Sequence, residues 1–414
     1  MKTYTYKKSV ALFDRAVQVI PCGIYGHLSP TPLVPVEHYP FYMSRAKGAK
    51  FWDVDGNEFI DYLCAYGPMI LGYNDPKVDA AAKAQLDLGN CVTSPGPAMV
   101  ELAEAMVDLV DGMKWAFFAK NGGDATSYSL MIARAATGRK KIILVRGGYH
   151  GVAPWAQSMG HPGIIEEDKS LYLYVDWNDF EGFEKVVKEN KGQIAGFIST
   201  PYHHPTFTDS VMPAAGYWQN IEKLCRNEGI VLIVDDVRCG FRLDLAGSHK
   251  YFGFNPDLVC FCKAIANGYP ISALMGTEAM RNACAKVFYT GSYWYSAVPM
   301  AAAIACLKEL KRINAPAVLK KVGEKLAKGL SDVVAANGYT LVVSGSPGMP
   351  FLRIAEDPSN MLHQEWCGES TRRGAFFCSH HNWFVSTAHT DKDIKRTIEI
   401  ADEAFTAVKK RGAR

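Results

Sequence analysis

The chain has 414 residues, of which 48% are hydrophobic and 21% charged, with a formal net charge of +3. These values exclude a disordered or fibrous chain, leave room for two or three domains, and give no charge field that would make nucleic acid or an anionic membrane the default partner. The eleven cysteines are scattered without a CxxC pair, and no cysteine or histidine group has ligand spacing, so free thiols and no metal are expected.

The amino-terminal MKTYTYKKSVALFDR carries no signal-like apolar stretch, and no apolar run reaches the roughly 18 residues of a membrane helix. A cytoplasmic enzyme is the expectation. Residues 9–20 have a helical apolar period, and residues 21–40 are rich in Gly and Pro. Alternation around Asp55-Gly56-Asn57 predicts two short strands within 50–63, followed by helices over about 76–88 and 98–110. A βα rhythm then sets in. Short apolar runs at 115–118, 142–145, 194–198, 230–234, 258–262 and 273–275 predict strands, with helices near 125–136, 215–228 and 298–312. Uniformly apolar strands between helices predict a mainly parallel sheet covered on both faces. The remainder mixes helices with strands near 340 and 384.

In such a sheet, ligands sit beyond the carboxyl ends of the strands. Three strand ends there carry chemistry. After Phe118 comes Lys120-Asn121-Gly122-Gly123-Asp124 and then a helix, where two small residues and a helix amino end can cradle an anion. The bland alternative is a loop with Asp124 as cap. After Val234 come Asp235 and Asp236, which could hold a cationic ring nitrogen, accept a proton or ligate a metal, or could serve only as a cap or a core ion pair. After the strand at 258–262 comes Lys263, a usable nucleophile toward aldehydes if desolvated, and otherwise an ordinary strand-end lysine. Together, an anion cradle, an acid and a lysine fit one ligand, pyridoxal phosphate: the cradle takes its phosphate, the lysine its aldehyde, the acid its pyridine nitrogen.

The motifs also carry a resemblance. Asp53-Val54-Asp55-Gly56-Asn57, Gly67-Pro68-Met69-Ile70-Leu71-Gly72, Tyr149-His150-Gly151, Asp235-Asp236-Val237-Arg238-Cys239-Gly240, Asn255-Pro256-Asp257-Leu258 with Lys263, and Ala388-His389-Thr390-Asp391 occur in the order found in class III aminotransferases of pyridoxal-phosphate fold type I, and the chain is most similar to the glutamate-1-semialdehyde aminomutases among them. The resemblance implies a large doubly wound, mainly parallel seven-stranded domain over 61–312. It also implies a smaller α+β domain built from both termini, 1–60 and 313–414. Lys263 is implied to bind the aldehyde and move the substrate proton, with Asp235 on the ring nitrogen and Val237 and Tyr149 on the two ring faces. Asn121, Gly122 and Gly123 are implied to hold the phosphate, and Ser292 to reach it from a neighbouring subunit of a homodimer. The implied activity is transfer of an amino group between an amine or amino acid and a carbonyl acceptor. The alternative is isomerisation, as an aminomutase or racemase.

Departures from the aminomutase pattern bear on substrate. Ser29 stands where that branch has an arginine, and His381 where it has a glutamate. Pro205 stands at the asparagine that bonds the cofactor's phenolic oxygen, which leaves His203 or His204 for that bond. Tyr25, His27, Tyr66, His203, His204 and His381 are the candidate substrate residues, with Trp155, Tyr293 and Trp294 beside them and Arg146 or Arg242 as a distant carboxylate partner.

Overall fold

The computed structural model describes residues 3–412 apart from His27 and Met159, so the expectation for His27 lies outside the described residues. Two compact units divide the chain. One comprises residues 1–75, 206–209 and 317–414, the other residues 76–205 and 210–316. The break expected after residue 60 falls at Asp75, because residues 61–75 bond back into the first unit: Gly48 and Tyr73 exchange main-chain hydrogen bonds of 2.8 and 2.7 Å, and Thr387 N–H donates to Ile70 O at 2.8 Å.

In the first unit, helix α1 (Lys7–Ala16) precedes strands β1 (Met43–Lys47), β2 (Lys50–Asp53) and β3 (Glu58–Asp61). The β2–β3 turn is held by Asp53, whose carboxylate accepts from the Asn57 main-chain N–H at 2.8 Å and from its side chain at 2.7 Å.

The second unit begins with α2 (Pro76–Leu88) and α3 (Pro97–Leu109) and continues through β4 (Trp115–Ala119), α4 (Gly122–Thr137), β5 (Lys141–Val145), β6 (Tyr172–Val175), α5 (Phe180–Glu189), β7 (Ile194–Ser199), α6 (Tyr217–Glu228), β8 (Val231–Asp235), α7 (Ser248–Phe252), β9 (Leu258–Phe261), β10 (Ser272–Gly276), α8 (Glu278–Lys286) and α9 (Ala297–Ile313). Its seven strands lie in the order β4-β10-β9-β8-β7-β5-β6. Strand β10 runs antiparallel to both β4 and β9, and the other pairs are parallel. Every residue of β7, β8, β9 and β10 is buried, as continuous apolar runs in a two-sided sheet require. Helix α4 sinks Tyr128, Ile132 and Ala133 into the core formed with Ile198, Ile233 and Cys260. Burial of an isoleucine such as Ile132 contributes about 1.5–3 kcal/mol. The short β6 is not among the strands expected from the sequence, and its residues are mostly only partly buried.

Back in the first unit, α10 (Ala315–Ala336) leads to the hairpin β11 (Leu341–Ser346) and β12 (Met349–Ile354), then α11 (Met361–Thr371), β13 (Ala375–Phe376) and α12 (Asp391–Gly412). The strand expected near 384 is absent: Phe384 N–H donates to Tyr62 O at 2.7 Å without forming a ladder, and the strand that joins this four-stranded sheet, in the order β1-β2-β3-β13, is β13. Among the described residues, no helix is long and apolar enough to cross a membrane.

Candidate active site

The carboxyl ends of β4, β8 and β9 open on one cavity of about 600 Å³ in the second unit, lined by Asn121, Gly122, Gly123, Tyr149, His204, Asp235, Val237 and Lys263 among others. The chain leaves β4 at Ala119 and turns into α4 through Asn121. Asp124 locks the turn, its Oδ2 accepting from the main-chain N–H of Lys120 at 3.1 Å and of Asn121 at 2.8 Å. Asp124 is thus the cap that the bland reading requires, and it leaves first-turn amides of α4 at the cavity wall. The glycines keep that wall clear. A Cβ on Gly122 would lie 2.8 Å from Val237 Cγ1, and one on Gly151, at φ +117°, would lie 2.8 Å from Gly123 Cα. Side chains here would fill the cradle, so this helix end fits a phosphate.

The two adjacent acids at the end of β8 diverge. Asp236 turns away from the cavity. It is fully buried and accepts from the Ser248 hydroxyl at 2.5 Å and the Ser248 N–H at 2.9 Å, and burial pushes its pKa up to about 7. Asp235 faces the cavity. Its Oδ2 accepts from His150 Nδ1 at 2.7 Å and its Oδ1 from the Val237 N–H at 3.1 Å. His150 is itself fixed: its carbonyl accepts from Thr126 Oγ1 at 2.7 Å, and its ring stacks on Trp155 at 6.3 Å and 15°. A carboxylate aimed and held this way can keep a proton on a ring nitrogen.

Lys263 follows β9 with φ +46°, a left-handed conformation that costs a non-glycine residue about 1–3 kcal/mol. Its neighbours Phe261 and Ala264–Ala266 are buried. Burial, and then the nearby Arg238 cation, lower its pKa to about 7, so a large share of the amine is unprotonated near neutrality. Strain and a depressed lysine pKa at a cavity wall are features of a group able to act as a nucleophile toward aldehydes.

The remaining candidates separate. His204 lines the cavity; His203 does not, its ring lying over Trp177 at 6.0 Å and its main chain bridging Val211. Ser292 is exposed and outside the lining. Trp155 packs between His150 and Tyr172, and Trp294 lies against Tyr289 and Phe117. Neither arginine candidate lines the cavity: Arg146 pairs with Asp176 at 3.2 Å, and Arg242 is buried outside the lining, its cation among the charges that lower the Lys263 pKa. In the other unit, Tyr25 is 84% exposed and Tyr66 meets His381 edge to face at 5.4 Å. Ser29 donates to Ile24 O at 2.7 Å, so its hydroxyl is spent locally.

Sequence reasoning assigns no role to His150 or to Arg238, the arginine that lines the cavity. Both stand inside motifs that carry the family resemblance. A strand-end acid in an apolar sheet needs a buried partner, which is the available signal for His150. Among the described residues, no group of three or more His, Cys, Asp or Glu side chains could hold a metal.

A mostly parallel seven-stranded sheet with an anion cradle, a fixed carboxylate and a poised lysine at its strand ends defines the site of a pyridoxal-phosphate enzyme. Residues 33–345 match the family Aminotransferase class-III. The chain is 42% identical over 397 residues to an aminopentol aminotransferase of Sphingopyxis macrogoltabida, covering 96% of this chain and 93% of that protein. It is 30% identical over 420 residues to a glutamate-1-semialdehyde 2,1-aminomutase of Methanosarcina acetivorans, covering 95% and 97%. The internal aldimine form of the FumI protein of Sphingopyxis sp. MTA144 superposes with a TM-score of 0.95 at 40% identity, covering 98% of each chain. The chain belongs to the class III aminotransferase family, whose members act through pyridoxal phosphate.

Proposed function

We propose that Lys263 and Asp235 run the amino-group transfer, from an amine to a carbonyl acceptor, and that the observation carrying this is the shared cavity of a strained, readily deprotonated lysine, a held carboxylate and a glycine-lined helix end. When bound, pyridoxal phosphate supplies an aldehyde that captures amines and a protonated ring that draws electrons from the carbon beside the captured nitrogen. The amides of Gly122 and Gly123 hold its phosphate, aided by the α4 dipole. Val237 and Tyr149 cover the ring faces. Asp235, aimed by His150 Nδ1–H and the Val237 N–H, holds the proton on the ring nitrogen. Lys263 would hold the aldehyde and is placed to accept and return the proton of the substrate carbon, a role its depressed pKa fits near neutrality.

On substrate, the relative at 42% identity is named for an aminopentol, and the position of the aminomutase arginine holds Ser29, whose hydroxyl is already occupied. Both favour an amine donor lacking a carboxylate at the reacting carbon. Tyr66 and His381 are proposed to shape the amine side. Ser292 is proposed to reach the phosphate from the second subunit of a homodimer, and the cytoplasm is proposed as the working compartment.

The test is to incubate the purified enzyme with a primary amine, with and without a keto acid. Turnover that requires the acceptor supports transfer. Turnover without an acceptor contradicts it and indicates isomerisation.

A further inference from the structure

Lys263, Asp235 and Asn121–Gly123 account for three of the cofactor's polar groups. The fourth, the phenolic oxygen, is located by the cofactor's own covalent structure. It flanks the aldehyde on the side away from the phosphate arm. Its partner must therefore lie on the cavity wall beside Lys263 and away from the glycine cradle. His204 and Arg238 line the cavity, and both interact electrostatically with the Lys263 amine.

The state of His204 is set by its neighbour. Arg238 Nη1 lies 3.0 Å from His204 Nδ1 and also donates to His204 O at 3.1 Å. A guanidinium has donors only, so Nδ1 accepts, and the proton of the neutral ring sits on Nε2. Burial, together with the Arg238 cation, holds the ring's pKa well below its usual value, so the ring stays neutral. The charged or titratable groups facing it are Arg238, Lys263, His203 and the edge-on ring of Tyr202. His204 Nε2 is buried and has no hydrogen-bond partner among the described residues. The cavity thus presents an N–H donor, backed by a cation, where an anionic oxygen would sit.

We infer that His204 Nε2–H donates to the cofactor's phenolic oxygen, and that Arg238 is a positioning residue that fixes the His204 tautomer and favours the oxygen's anionic form. This role rests on the cofactor's proposed placement between Lys263, Asp235 and the glycine cradle. It does the work left vacant by Pro205, and it takes His204 from the substrate side to the cofactor side.

The holoenzyme's visible absorbance, titrated with pH, tests this. Losing the donor destabilises the phenolic anion, so His204→Ala is expected to raise the titration midpoint by about one unit or more, the size of one charge-assisted hydrogen bond. His204→Asn, which restores an N–H, is expected to recover at least half of that shift, and Arg238→Gln to give a smaller rise in the same direction. A second readout avoids reliance on one variant's folding. Wild-type apoenzyme should bind the 3-O-methyl ether of pyridoxal phosphate about tenfold or more weakly than pyridoxal phosphate itself, and His204→Asn should lie between wild type and His204→Ala in this discrimination. A midpoint unchanged in His204→Ala, or equal wild-type affinity for the two compounds, overturns the inference while leaving the Lys263 assignment standing. A wild-type holoenzyme with no visible band would instead refute the Lys263 assignment itself.

Discussion

The two units differ in how tightly chemistry constrains them. In the seven-stranded unit, β4, β8 and β9 end at the same cavity, and the residue at or just after each end has a defined local geometry: Asn121 at a helix start, Asp235 on His150, Lys263 in a left-handed turn. In the unit built from both termini, the candidate substrate residues Tyr25 and His381 sit on irregular chain, and Tyr66 ends a short 3-10 turn. Among the described residues, 21–40 contain neither helix nor ladder strand, and 379–390 only turns, bends and irregular chain. On the proposed roles, the cofactor's fixed constitution would dictate the first set and substrate shape the second. Substitutions should therefore have large effects in the seven-stranded unit and graded ones in the other.

The largest contrast is expected at Asp235. Asp235→Asn removes the charge proposed to keep the ring nitrogen protonated, and turnover should fall about 10²–10³-fold while the visible band persists. Rates within about tenfold of wild type would show that another group does this work. Gly122→Ala pushes a methyl to within 2.8 Å of Val237. Titration of apoenzyme should then show cofactor affinity reduced by about tenfold, with little change in thermal stability away from the site. Unchanged affinity would remove the cradle.

A third test uses pH. The Lys263 pKa is depressed to about 7, so its reactive neutral form is lost as pH falls through that value. Cofactor uptake by apoenzyme should rise about tenfold between about pH 6 and pH 8 and then level off, following the unprotonated fraction. A rate still climbing steeply above about pH 9 would mean that the lysine has its ordinary pKa. The smallest effect belongs to the other unit. Ser29→Ala deletes only a bond to Ile24 O and should leave kcat within about twofold. A large loss in kcat would place Ser29 among the groups that act on substrate.

Much of this is legible from residues alone. Uniform apolar runs mark β7, β8 and β9, and the ends of β8 and β9 mark the chemistry, because a polar group at the end of a buried strand is costly without a task. What stays hidden has physical causes. Asp235 and Asp236 read alike in one dimension, and only the alternation of side chains across the sheet sends one to the cavity and the other to Ser248. His203, over Trp177, and His204, at the cavity, are neighbours in sequence yet part in the same way. Arg238 reads as one more member of a motif, yet it lowers the pKa of Lys263 and fixes His204. Strand β13 is two residues long and pairs in parallel with β3, too short for any periodicity to register.

The central claim, a covalent tether at Lys263, is tested most directly by reducing the holoenzyme with borohydride and mapping the modified residue by peptide mass spectrometry. The account predicts one pyridoxyl-phosphate adduct, on Lys263, and none in Lys263→Ala. An adduct on another lysine, or none in a wild-type protein saturated with the cofactor, would contradict it.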